Sequence, residues 1–258
     1  MKIVFSECGI DYSQYAFAYV VHCIAEDLSE IPVVYERGFL PFTNSNSIKS
    51  EIYYLARSLR LNLIAFKLTS ENKRVLNKCQ PLDISTDFVS KGDFLFTDDF
   101  FQFCLTYCDK RFTNQAMNID RLKYIVDRKS LNKIIVFKSK GKVLGYVFAC
   151  AMGEMFHFWY SFFDINYLHQ SIGKFMIVTT IEWARKNNYK FFYLGTCYTE
   201  KALYKVRDHR GCEFFDGNRW INDRQLLIQL CKNDKDDGTL KDGINEESSY
   251  FQSFNLDV

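Results

Sequence analysis

Three short runs hold the residue types that could do chemistry. Tyr160-Ser161-Phe162-Phe163-Asp164 puts two hydroxyls and a carboxylate at the end of an aromatic stretch. Gln170-Ser171-Ile172-Gly173-Lys174-Phe175 opens an amphipathic pattern with small residues and a cation. Tyr193-Leu194-Gly195 closes a short apolar run, and Lys205 and Arg210 follow it. Small residues at a helix start let the backbone come close to an anion, and the first-turn amides point at it. The four His are scattered, with no HxxxH or HExxH, so a zinc site is not expected. No motif suggests a Ser–His or Cys–His nucleophile pair.

Each residue also has a plainer reading. Aromatic density in FHFWYSFF is ordinarily core packing, which is the reading for Phe158 and Phe162. Asp164 could simply cap a helix, Gly195 end a strand, and Lys174 sit solvated at a helix start. His157 in an alternating strand is first a satisfied core or rim residue. Arg207-Asp208-His209-Arg210 is first a solvated loop, and SENKRVLNK a solvated helix face.

The elements that must position these residues follow from periodicity. Residues 12–23 alternate as a strand, with Tyr15, Phe17, Tyr19 and Val21 on one face. IPVVYERGF reads as a short helix closed by Gly38, and IYYLARSLRL as strand. SENKRVLNK is helical, with Ser70 as its expected N-cap. Thr97 or Asp98 caps a helix running to about Phe112, and another spans Ile119–Asp127. KIIVFKS and VLGYVFACAM form a hairpin around SKGK, and MFHFWYSFF adds a strand. A helix from about Leu168 to Asn187 turns Ile172, Phe175, Met176, Thr179 and Trp183 inward. FFYLG is a strand, LYKV a helical turn, CEFF and RWI a hairpin, and the last helix holds Leu226, Leu227 and Leu230.

From Lys133 the order is strand, strand, strand, helix, strand, helix, strand, strand. That order matches the GNAT-type N-acyltransferase fold. The expected class is therefore α/β (α+β): a GNAT-like core of mixed, mostly antiparallel sheet flanked by helices, with a smaller N-terminal α/β region. Residues 1–130 form that region and are a candidate for acceptor recognition. Residues 131–231 form the transfer core, and 232–258 an acidic, mobile tail.

In GNAT enzymes that use acyl-CoA the helix start reads Q/R-x-x-G-x-G/A. Here Gly173 keeps the first small position and Phe175 takes the second. A benzyl group there should obstruct the usual pyrophosphate seat, and Lys174 adds a candidate phosphate contact. The run FHFWYSFFDINYLHQSIGKFMIVTTIEWARKNNYKFFYLG resembles the C-terminal core of the arginyl-tRNA–protein transferases and their bacterial leucyl-transferring relatives. That family shows a YSFYDP-like segment, SLGKY, an IEWA-like helix and YYYLG. Tyr160–Asp164, Ser171–Phe175, Ile181–Ala184 and Tyr193–Gly195 match them in order. A YK…RPxE element has a weaker echo in Tyr204-Lys205 and Arg210-Gly211-Cys212-Glu213. Fainter likeness reaches YERGFLPF and LIAFKLTSENKRVLNK, so the resemblance spans most of residues 35–215.

The resemblance implies transfer of an amino acid, Arg or Leu, from aminoacyl-tRNA to the N-terminal α-amine of a protein or peptide. Such a mark would direct the protein to degradation by its new first residue, as in an N-degron pathway. Direct aminolysis of the ester needs an oriented amine, a proton acceptor and oxyanion stabilisation. Asp164 then holds the aminoacyl ammonium or relays the amine proton. Tyr160, Ser161 and Tyr193 donate hydrogen bonds, or the tyrosines stack on the terminal adenosine. Ser171, Gly173, Lys174, Gly195, Lys205 and Arg210 face the aminoacyl-tRNA end. No cofactor is required. The family's N-terminal CxxC cluster is missing, with only Cys8 and Cys23 there, so an iron–sulfur cluster is not carried over. The alternatives are an acyl-CoA-dependent N-acyltransferase, a tRNA-dependent enzyme that extends small peptides, and a silent binder of tRNA or peptide ends.

Composition sets the outer bounds. The chain has 258 residues, 48% hydrophobic and 17% aromatic, which is enough for a packed core. No apolar run is long enough to span a membrane, and MKIVFSECGIDYSQY lacks a signal-peptide core, so a cytoplasmic setting is expected. Nine Cys without a CxxC do not suggest a disulfide framework, and Cys104 and Cys108 read as one apolar helix face. The net charge of +2 hides an asymmetry. Residues 232–258 hold three basic and seven acidic residues, leaving +6 for the rest, which permits contact with a phosphate backbone.

Overall fold

The computed structural model describes residues 1–13, 15–45, 48–112 and 117–234. In chain order the elements are β1 (Lys2–Asp11), β2 (Ala16–Ala25), α1 (Ile31–Glu36), β3 (Phe39–Pro41), β4 (Glu51–Leu55), β5 (Ser58–Asn62), α2 (Ser70–Cys79), β6 (Ile84–Ser90), α3 (Asp98–Arg111) and α4 (Ile119–Asp127). There follow β7 (Lys133–Ser139), β8 (Lys142–Met152), β9 (Met155–Phe163), α5 (Ile172–Lys186), β10 (Phe191–Thr196), α6 (Tyr204–Asp208), β11 (Cys212–Phe215), β12 (Trp220–Ile221) and α7 (Arg224–Asn233). The chain divides into two compact units. Of the described residues, one holds those of 1–58, 196–203 and 214–234, and the other those of 59–195 and 204–213.

In the first unit an antiparallel sheet runs β1-β2-β4-β3. The face of β2 that carries Phe17 and Tyr19 is the outer one, with both residues half exposed. The inner face is the alternate set, His22 with Val4 and Ser6 of β1, and His22 meets the ring of Phe42 edge-on. Strand periodicity gives two faces but not which one meets the core. Gly38 ends α1 at φ +83°, and a Cβ there would lie 2.2 Å from the Phe215 ring, so only glycine fits. The residues expected to begin a mobile tail are ordered at first: Lys232 and Asn233 close α7, and Asp234 pairs with Arg57 at 2.7 Å. The rest of that tail, 235–258, lies outside the described residues.

The second unit carries the central sheet, with strands β5-β10-β9-β8-β7-β6 side by side. β6 through β9 form antiparallel neighbours, and β10 lies parallel to β9 after the α5 crossover. This is a mixed, mostly antiparallel sheet of the expected class. The hairpin, the aromatic strand and the helix Ile119–Asp127 form as the periodicity predicts. The β9–β10 ladder covers only Met155–His157 against Phe191–Tyr193, although β9 runs on to Phe163.

The long helix expected from Leu168 is two pieces. A 3-10 turn covers Ile165–Gln170, Ser171 takes a left-handed φ of +63°, and α5 begins at Ile172. That break puts Ser171 and Gly173 at the helix start. The buried face of α5 is Ile172, Met176, Val178, Thr180, Ile181 and Ala184. Phe175, Thr179 and Trp183, expected inside, are only half buried. Trp183 stacks flat on Phe88 of β6 at 3.9 Å between ring centres. α2 is capped by Thr69, not Ser70: Thr69 Oγ1 accepts from Asn72 N–H, and Asn72 Oδ1 accepts from Thr69 N–H, both at 3.1 Å.

Candidate active site

Two cavities in the second unit meet at a wall made by Tyr107 of α3 and Phe163 of β9, whose ring centres are 4.8 Å apart. The smaller, about 320 Å³, gathers four expected site residues: Ser161, Ser171, Gly173 and Lys174. β9 supplies Ser161, the left-handed residue before α5 is Ser171, and the first turn of α5 supplies Gly173 and Lys174. A Cβ on Gly173 would sit 2.9 Å from Phe163 Cε1, so glycine here lets the helix start approach the wall. Arg111 and Tyr204 complete the lining with Leu168 and Ile177.

Lys174 is not a free cation. Its Nζ lies 2.7 Å from Asp208 Oδ2 and 3.0 Å from Glu71 Oε1. Partial burial lowers its pKa, but the two carboxylates outweigh this and hold it above the ordinary lysine value. Hydrogen bonds from Arg74 and then Lys174 bring Glu71 down to about 2. Asp208 is itself held in place: its carbonyl accepts from Thr69 Oγ1 and Asn72 Nδ2, each at 3.0 Å. The cavity wall carrying Lys174 is thus close to neutral, and its second cation is Arg111, which the sequence reading did not single out. Arg111 ends a helix chosen on apolar spacing, and only the fold brings it beside Ser161.

The larger cavity, about 600 Å³, contains Asp164. Asp164 caps the 3-10 turn by accepting from Asn166 N–H at 3.0 Å, as the plainer reading has it. It also pairs with Lys142 Nζ at 3.0 Å, its side chain 12% exposed and that of Lys142 66%. Burial raises the Asp164 carboxyl, but the Lys142 ammonium and the Asn166 amide together hold it below the usual range. At neutral pH it is therefore an anion that binds an ammonium, and a weak base.

The remaining expected residues line neither cavity. Tyr160 is half buried and lies nearly parallel to Phe162 at 6.2 Å between centres. Tyr193 is 1% exposed, so its ring offers no face to a terminal adenosine. The cause is its register: it stands opposite His157 at the last rung of the β9–β10 ladder. His157 is buried as expected, and burial together with the nearby Lys205 charge pushes it down to about 3. Gly195, at φ +79°, has Lys205 Nζ 3.8 Å from where its Cβ would be. Arg210 is exposed. Phe175, expected to obstruct a pyrophosphate seat, lies edge-on to Phe137 of β7 at 6.3 Å, so part of its bulk goes to the sheet. Among the described residues no group of three or more His, Cys, Asp or Glu is placed to hold a metal ion, and no helix is long and apolar enough to cross a membrane.

Residues 99–207 match the family described as arginine-tRNA-protein transferase, C terminus. The stretch begins in α3 and ends in α6, and it contains every lining residue of the two cavities except Thr97. The chain is 25% identical over 170 residues to an aspartate/glutamate leucyltransferase of Saccharophagus degradans, covering 63% of this chain and 70% of that one. It is 40% identical over 63 residues to an aspartate/glutamate leucyltransferase of Stenotrophomonas maltophilia, covering 24% of this chain and 25% of the relative. Among solved structures it is similar to FemX, at 10% identity and a TM-score of 0.47 over 83% of this chain and 74% of that one. It is similar also to L-PGS from Bacillus licheniformis, at 13% identity and a TM-score of 0.42 over 71% of this chain and 54% of that one.

Proposed function

We propose that this chain, whose residues 99–207 match the arginine-tRNA-protein transferase C-terminus family, moves an amino acid from aminoacyl-tRNA to the N-terminal α-amine of a protein or peptide. One observation carries this reading: the smaller cavity joins Ser161, Ser171, Gly173 and Lys174 at the start of α5, inside the matched stretch. Arg or Leu is the donor residue, and the relatives named aspartate/glutamate leucyltransferase favour Leu and acidic acceptors.

The donor is an activated ester, so an attacking amine needs position more than activation. In the proposed step the amine nitrogen bonds to the ester carbon, and the ribose oxygen departs. The amine loses one proton and the departing oxygen gains one. A peptide α-amine has a pKa near 8, so a useful fraction arrives as free base at neutral pH. Neither Asp164 nor His157 suits the base role, since both are held at low pKa. Asp164 instead orients the free-base amine by accepting a hydrogen bond from one of its N–H groups. The hydroxyl of Ser161, on the cavity wall, is the side-chain donor that β9 offers the oxyanion. Arg111, with the first amides of α5, is suited to the last phosphate of the tRNA end.

The test uses the purified chain with leucyl-tRNA and arginyl-tRNA carrying labelled amino acid, and acetyl-CoA in parallel. Label entering a free-amine peptide from tRNA alone supports the reading. Label from acetyl-CoA alone rejects it in favour of an acyl-CoA-dependent acyltransferase.

A further inference from the structure

Lys174 is a primary amine on the wall of the cavity that would hold an activated ester. An amine in that place is a rival to the incoming peptide. At neutral pH about a tenth of a peptide's α-amine is free base, against about 0.04% of an ordinary lysine. That handicap of a few hundredfold is small beside the effective molarity of a group built into a site, which reaches about 10⁵ M or more. An unpartnered lysine here would therefore take the amino acid itself.

The partners of Lys174 come from two other elements. Asp208, at the end of α6, lies 2.7 Å from its Nζ, and Glu71, in the first turn of α2, lies 3.0 Å from it. Neither belongs to residues 99–207, the stretch shared with the family. Each carboxylate is also gripped by an arginine. Arg74 Nε donates to Glu71 Oε2 at 2.7 Å, and Arg207 Nε to Asp208 Oδ1 at 3.0 Å. His209 follows Asp208, but burial pushes it down to about 4, so it is neutral. The cavity itself presents Arg111 as its other charged side chain. Burial works against the charge on Lys174, and the two carboxylates reverse the sign. Without them the same burial would make this amine easier to deprotonate than a lysine in water.

We propose that Glu71 and Asp208 decide which amine is acylated: they guard Lys174, so that the amino acid passes to the peptide and not to the chain itself. An ammonium nitrogen has no lone pair with which to attack. Without the guard, Lys174 Nζ bonds to the ester carbon and the bond from that carbon to the ribose oxygen breaks. The proton lost by nitrogen goes to that oxygen, leaving an amide on Lys174 and free tRNA. Glu71 and Asp208 are positioning residues, acting through Lys174. The guard has a purpose only where the cavity holds the ester, as in the transfer reading above.

Two measurements on the whole chain separate the guard from the transfer. The first omits tRNA: trace acetylation with acetic anhydride across pH 6–11, each lysine read by peptide mass spectrometry. The labelling midpoint of wild-type Lys174 should lie above that of the exposed Lys73. In the Glu71→Gln/Asp208→Asn double variant it should lie below, making Lys174 about tenfold more reactive at pH 8. The second supplies leucyl-tRNA or arginyl-tRNA with labelled amino acid and no peptide. Wild type should stay unlabelled, and the double variant should gain one aminoacyl residue on Lys174. Lys174→Arg in that background should abolish the label, because a guanidinium stays protonated. Glu71→Gln alone, on a part-exposed side chain, should give the same result at a smaller gain while leaving the buried Asp208 in place. Equal labelling midpoints in wild type and variant overturn the proposal. So does a variant that transfers to an added peptide but never to Lys174, or a wild type that aminoacylates its own Lys174. A wild-type chain that moves nothing from tRNA to a peptide sinks the transfer reading, and the guard falls with it.

Discussion

Replacing Gly173 with Ala separates the wall's role in function from its role in stability. The added Cβ would sit 2.9 Å from Phe163 Cε1, and ordinary contact begins near 3.4 Å, so the ring must retreat by half an ångström or more. It cannot do so freely, because Phe163 is 7% exposed and rests on Tyr107. Overpacking of this kind costs about 1–3 kcal/mol. Removing a helical glycine returns up to about 1 kcal/mol. The net loss is then about 0–3 kcal/mol, or a melting temperature lower by no more than about 12 °C. Function should suffer more. The ring lines the cavity at the start of α5 that would hold the donor, and a misplacement of 1 Å can cost about a hundredfold in rate. Half that displacement predicts a loss of about tenfold in the single-turnover transfer rate. Calorimetry and rapid-quench transfer from leucyl-tRNA measure the two effects on one preparation. A Gly173→Ala variant that transfers at the wild-type rate would refute the placement of this wall at the reaction centre. A variant that simply fails to fold would refute the packing argument.

Asp164→Asn should cut transfer by a hundredfold or more while far-UV circular dichroism stays unchanged. Because the Asp164 carboxyl is held low, the wild-type pH–rate profile should show no acid limb from this group between pH 5 and 8; a limb there that vanishes in Asp164→Asn would make it a base instead. Asp208→Asn removes a nearly buried partner of a third-exposed lysine, which should cost about 2 kcal/mol and lower the melting temperature by about 4–8 °C. Glu71 titrates at about 2 in the fold against 4.5 ordinarily. Its stabilising contribution is therefore complete above about pH 4.5 and lost as the pH falls toward 2, and Glu71→Gln should flatten that part of the acid-unfolding curve, read by intrinsic fluorescence.

Much of the platform was legible because its elements are strongly periodic. The hairpin at 133–152, the aromatic strand and the helix at Ile119–Asp127 follow from alternation and capping alone. β1 and β6 were missed, the latter because ISTDFVS holds few apolar residues and alternates only between half-buried and exposed. The break at Ser171 was missed because a non-glycine residue with positive φ leaves no mark in the sequence. Ser161, Ser171, Gly173 and Lys174 were legible as a cluster through the short runs they occupy. Lys142 on β8, and Lys110 and Arg111 at the end of α3, were not, since only tertiary packing brings them to a cavity. Nor could local sequence reveal that Lys174 is held by Asp208 and Glu71, which lie on different helices, or that register buries Tyr193.

Acylation of a peptide amine from tRNA changes the peptide's mass by a known amount. Intact-mass analysis of an Asp-first peptide, after incubation with the chain and a mixture of leucyl-tRNA and arginyl-tRNA, measures it directly. The account predicts a mass increase of one leucyl or arginyl residue, placed on the α-amine by fragmentation. An unchanged peptide, with an acetylated product when acetyl-CoA is supplied instead, would contradict it.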